Sequence, residues 1–79
     1  PAKSLGNESA RATWGPVNGA GYYIVYYRLA TNPRYTNAVR VPAEGSTITI
    51  NHLGPGTYFY RVSALVGTQE VWQPEQRLK

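Results

Sequence analysis

The stretch that decides the fold runs from Leu53 to Leu65 and reads LGPGTYFYRVSAL. Its first half, Leu53-Gly54-Pro55-Gly56-Thr57, has turn chemistry. Its second half, Tyr58 to Leu65, is rich in aromatic and apolar side chains and carries no glycine or proline, as a strand does. If Tyr58 points inward, a period of two places Tyr60, Val62 and Ala64 inside with it, and Phe59, Arg61 and Ser63 outside.

Working outward, the same pattern recurs. No window of eleven residues carries apolar positions at helical spacing, and glycine or proline interrupts the chain every ten residues or so. Short runs rich in Val, Ile, Thr and Tyr predict strands over residues 10–14, 22–29, 38–41, 47–50, 58–66 and 69–73, joined by segments of turn composition. Residues 1–9 hold either a short edge strand around 4–6 or a frayed end, and residues 74–79 read as an exit tail. The expectation is one all-β domain, an antiparallel sandwich of six to seven strands whose first strand is short or missing.

Composition bounds the rest. A chain of 79 residues without cysteine must be stabilised by packing alone, and its seven Tyr, two Trp and one Phe are the material for it. The longest apolar stretch, 22–27, is far short of the roughly 20 residues of a membrane helix, so no membrane insertion is expected. A formal charge of +4 suits an acidic partner without demanding one, and with no dense Lys/Arg run no nucleic acid is expected. The chain begins with Pro1 and contains no Met, and it reads as a piece of a longer protein.

The order of signals is specific. Trp14 with Pro16 is followed by Tyr23, Val25 and Tyr27, and then by Leu53, Pro55, Gly56, Tyr58, Tyr60, Arg61, Val62 and Ala64. This resembles the fibronectin type III domain over about residues 10–72. The resemblance implies an immunoglobulin-like sandwich in which the corner tyrosine, Tyr58, packs inward and ties back to the backbone. It also implies a module of a larger extracellular, cell-surface or virion protein, since the family occurs in cell-adhesion proteins, receptors, bacterial extracellular hydrolases and phage tail proteins. Three departures stand out: the chain is shorter than the family's usual length, the last hairpin loop is cut to Gly67-Thr68, and no Arg-Gly-Asp is present. Integrin binding is therefore not carried over.

Alternation sends Tyr23, Val25 and Tyr27 to the core and turns Tyr22, Ile24, Tyr26 and Arg28 outward. A two-residue Gly67-Thr68 turn with Gly first suits type II′ and sets the register Val66 to Gln69, Ala64 to Val71 and Ser63 to Trp72, with Val71 inside and Trp72 outside. Ala10, Ala12, Trp14, Ile48, Ile50 and Leu53 complete the expected core.

The outer face carries the functional reading. In the implied topology Tyr22, Ile24, Tyr26, Phe59 and Trp72 share one exposed surface with Arg28 and Arg61 among them. Contiguous apolar patches of that kind tend to be contact sites, and Tyr, Trp, Phe and Arg are enriched at interface centres. The bland alternative is sheet-stabilising decoration, with Arg61 stacked on Trp72 as a surface cation–π pair. Arg28, Arg40 and Arg61 form no stripe of successive positions and read as separate solvated charges.

Catalysis finds no support in the residues. His52 is the only histidine, and without Asp or Cys it completes neither a triad nor a common metal set. It reads as a solvated loop residue. Glu8, Glu44, Glu70 and Glu75 are scattered, and the glycines of GPVNGAG and LGPGT open no helix and serve as turns. Asn7-Glu8-Ser9 fits a glycosylation sequon. No enzyme, cofactor or metal is expected. The chain reads as a structural and protein–protein contact module, its partner the same or a neighbouring domain or a receptor. The alternative is a carbohydrate-binding module attached to a secreted polysaccharide-degrading enzyme, with glycan as the ligand of the same rings.

Overall fold

The computed structural model describes residues 8–79. It is all-β and antiparallel, with β1 (Glu8–Thr13), β2 (Ala20–Leu29), β3 (Asn37–Pro42), β4 (Thr47–Leu53), β5 (Tyr58–Val66), β6 (Gln69–Trp72) and β7 (Gln76–Arg77). β1 and β4 form a two-stranded sheet. The other forms in the order β3-β2-β5-β6, with β7 also paired to β5. The edge strand considered around residues 4–6, and Asn7, lie outside the described residues.

The two sheets enclose one core. Ala12, Trp14, Ile50 and Leu53 enter it from the small sheet, and Tyr23, Val25, Val41, Tyr58, Tyr60, Val62 and Ala64 from the large one. Alternation alone does not bring both Ile50 and Leu53 inward, because they are an odd number of residues apart. The backbone resolves this at His52, whose φ of 62° makes it the only non-glycine residue with positive φ among those described. The ladder slips there, pairing Glu8 with Leu53 but Ala10 with Ile50, and this bulge turns Leu53 back to the core. His52 thus lies within β4, exposed, and not in the loop expected for it.

Three core tyrosines bring a hydroxyl inside, and each finds backbone. Tyr58 accepts from the Gly54 amide at 3.1 Å, the corner tie expected of it, and Tyr23 accepts from the Val17 amide at 2.9 Å. The Tyr60 hydroxyl donates to the Thr13 carbonyl at 2.7 Å, tying the large sheet to β1. Buried polar groups satisfied in this way specify one packing.

The hairpin after β5 has the expected register, Ser63 with Trp72, Ala64 with Val71 and Val66 with Gln69, and Gly67 takes φ of 62° as a type II′ turn requires. Three expectations are corrected. Val71 is on the inner side but 40 % exposed, because β6 is an edge strand reaching past the cover of the small sheet. Ser63 is on the outer side yet fully buried, covered by its outer-face neighbours. Residues 74–79 are no exit tail: Arg77 and Gln76 pair with Phe59 and Tyr60, the Leu78 amide donates to the Tyr58 carbonyl at 2.8 Å, and the Leu78 side chain enters the core.

Candidate functional site

Register places the outward side chains of the large sheet in rows. Pro42, Tyr22, Leu65 and Glu70 form one row across β3, β2, β5 and β6; Arg40, Ile24, Ser63 and Trp72 form the next. Ala38, Tyr26 and Arg61 follow, then Arg28, Phe59 and Arg77. The expected contact residues Tyr22, Ile24, Tyr26, Arg28, Phe59, Arg61 and Trp72 are therefore on one face. Six are half-buried, and Trp72 is 43 % exposed.

The arginines are not the separate solvated charges that their spacing suggests. Arg40 stacks over the Tyr22 ring with its guanidinium carbon 4.0 Å from the centroid, Arg61 over Trp72 at 4.8 Å and Arg28 over Phe59 at 5.2 Å. Arg28 and Phe59 are direct cross-strand partners, and Arg40 and Arg61 are long enough to lie over a ring one row away; the ring's negative face attracts the cation. Between them Tyr26 and Trp72 meet with centroids 5.2 Å apart, tilted by 34°. The result is a layer of interleaved rings and guanidiniums.

Two residues outside the expected set complete the layer. Tyr35, from the loop between β2 and β3, meets Tyr26 edge-on at 6.0 Å and 61°. Glu75, from the connection between β6 and β7, receives a two-pronged hydrogen bond from Arg28, with Nε to Oε2 and Nη2 to Oε1 both at 3.1 Å. The Tyr35 hydroxyl also donates to Glu75 Oε2. The third nitrogen of Arg28, Nη1, donates to the Asn32 carbonyl at 2.7 Å, so one side chain fastens the β2–β3 loop and the β6–β7 connection to the sheet. Nothing in the local sequence around Tyr35 or Glu75 announces this. It is set by the fold, which brings together residues 40 positions apart.

These contacts set the charges. The Arg28 hydrogen bond, then that of Tyr35, holds the Glu75 carboxyl below the usual carboxylate range. Arg28 in turn is raised by its bond to Glu75. Burial pushes the Tyr35 hydroxyl up, and Glu75 adds to it. Burial likewise raises Tyr26, helped by the Glu70 carboxylate, which accepts from the Tyr26 hydroxyl at 3.4 Å. Glu70 on β6 and Arg40 on β3 stand on opposite sides of the face, both exposed, and among the described residues neither is in an ion pair.

Among the described residues no group of three or more His, Cys, Asp or Glu is placed to hold a metal ion. His52 stands on the other sheet, away from the arginine and ring layer. The sequence matches no known family model and no curated protein.

Proposed function

We propose that the chain is a fibronectin type III-like module of a larger extracellular, surface or virion protein, working without catalysis as a spacer and as a protein–protein contact through the outer face of the large sheet. The observation that carries this reading is the layer itself: rings interleaved with guanidiniums, with Trp72 exposed at its rim. That composition is the one found at interface centres. The sheet order and the Tyr58 corner bond support the family assignment. A sugar platform needs coplanar rings, and the tilts of 34° and 61° around Tyr26 count against stacking on pyranose faces.

A Tyr26→Ser, Trp72→Ser double variant tests the reading. Rings held for contact contribute to the fold only what they exchange with each other, with Tyr35 and with Arg61, together about 1–3 kcal/mol. Equilibrium unfolding is therefore expected to show a loss of that size. A loss above about 3 kcal/mol, on the scale of a removed core residue, makes the rings a structural element and ends the contact reading. Native chain bound to a glycan array, with binding lost in the double variant, replaces it by carbohydrate recognition.

A further inference from the structure

Resting on the contact-face reading, we propose that the occupant of this face is a second copy of the same chain, seated face to face about a two-fold axis that runs parallel to the strands midway between β2 and β5. The pattern of the rows points to it. Such an axis exchanges the two sides of the sheet and preserves each row, so β3 of one copy lies over β6 of the other, and β2 over β5. Because the order β3-β2-β5-β6 is centred on the β2–β5 boundary, every outward residue of β2 and β5 acquires a defined opposite number.

Carried through the register, Arg28 lies opposite Phe59 of the second copy and Tyr26 opposite its Arg61, while the Arg40 guanidinium, leaning over Tyr22 into the next row, lies toward its Glu70. Tyr22 faces Leu65, and Ile24 faces Ser63. No arginine meets an arginine. The Arg61 guanidinium, which covers Trp72 of its own copy, presents its other side to Tyr26 of the second; Arg28 is already held against Phe59 and Tyr35 by its bonds to Glu75. An axis across the strands lacks this pairing, because it sets Arg40 over Ala38 and Arg61 over Ser63.

Charge decides the register. Arg40 leans over Tyr22, into the row that ends at Glu70 on the opposite side of the sheet. That row therefore reads cation, ring, Leu65, anion from side to side. The two-fold places the cation of each copy beside the anion of the other, twice. A polyanionic glycan or nucleic acid is less well suited, since Glu70 and Glu75 interrupt the positive charge of the face.

Size sets the strength. Four strands about 4.8 Å apart and four rows about 7 Å apart give a face on the order of 500 Å² per copy. Both copies together bury about 1,000 Å², at the weak end of specific interfaces. The dimer is one of high concentration, or of copies held near each other in an assembly.

Three chains test this by light scattering or sedimentation between about 10 µM and 1 mM, the range in which so small an interface forms: native, Arg40→Glu and Glu70→Arg. The native chain is expected to approach twice the monomer mass at the top of the range. Each single variant sets like charges together twice and stays monomeric. Mixed in equal amounts, the two variants bring a carboxylate opposite a guanidinium at both of these contacts, and the mixture regains the dimer mass. Thermal unfolding of each variant near the native midpoint shows that lost association is not lost fold. Native chain that remains monomeric at the top of the range overturns the proposal, as does association that neither single variant weakens or that mixing fails to restore. In each of these cases the contact-face reading stands or falls separately, on the cost of the Tyr26 and Trp72 substitutions.

Discussion

Leu78→Ala and Val71→Ala, compared side by side, test the fold where local pattern and structure disagree most. Alternation puts Val71 in the core and leaves Leu78 in a departing tail; the structure leaves Val71 40 % exposed and buries Leu78 to 8 %. Leucine-to-alanine changes in cores cost about 2–5 kcal/mol through lost transfer energy and the cavity left behind. Leu78 lies at the rim of the cluster, where neighbours close in more easily, so the low end applies, about 2–3 kcal/mol. Its backbone bonds to Tyr58 survive the change, and the cost is one of packing. Val71→Ala removes two methyl groups that are already in contact with water, at a cost of about 1 kcal/mol or less.

Scaled to 79 residues, the unfolding entropy is about 0.17 kcal/mol/K. The expected fall in midpoint is then about 12–18 °C for Leu78→Ala and about 6 °C or less for Val71→Ala. Against a total stability of about 4–12 kcal/mol for a chain of this length, the first is a large fraction and the second is not. Urea unfolding followed by tryptophan fluorescence, with thermal melts alongside, reads both. A Val71→Ala cost equal to or above that of Leu78→Ala refutes the placement of the C-terminal strand.

Two further perturbations act on polar contacts. Tyr58→Phe keeps the ring and removes the acceptor of the Gly54 amide, with an expected loss of about 1–2 kcal/mol; faster amide exchange at Gly54 is its signature, and an unchanged rate removes the corner bond as a source of stability. Glu75 has a folded-state carboxyl lowered by Arg28 and Tyr35, so its contribution to stability is full above the ordinary carboxylate value of about 4.3 and is lost as pH falls through the lower folded value. Between about pH 5 and 2 the native midpoint should therefore fall more steeply than that of Glu75→Gln. Parallel curves exclude the Arg28–Glu75 bond as the cause of acid sensitivity.

Much of this arrangement is legible in the sequence, and the reasons differ by element. β5 is covered on its inner face along most of its length, so period two alone sorts Tyr58, Tyr60, Val62 and Ala64 from their neighbours. The Gly67-Thr68 turn admits one register, and that register aligns Ser63 with Trp72. Alternation tells which side a residue faces but not what lies over it, which is why Val71 is inward and wet while Ser63 is outward and dry. The last strand is hidden for another reason: in Gln73-Pro74-Glu75-Gln76-Arg77 no apolar period exists, and only Leu78 gives the segment a reason to return. Arg40, Tyr35 and Glu75 each read as ordinary surface or loop residues. Their roles arise from rows and loops that only the folded sheet brings together.

The interleaving of rings and guanidiniums also bears on why such a face is tolerable. Bare rings across three strands would make an exposed apolar patch of several hundred Å², an invitation to indiscriminate association. Each stacked arginine covers its ring with a group that remains hydrated at its edge, so the face keeps contact chemistry while lowering its apolar exposure. The same covering limits which surfaces are accepted. On the proposed reading, a partner would have to offer a ring where this face offers Arg61 and an anion where it offers Arg40; a surface with arginines at those positions is repelled. On that proposal one arrangement serves both to stabilise the sheet and to select a partner, and the double ring variant tells the two roles apart by what it loses, stability or association.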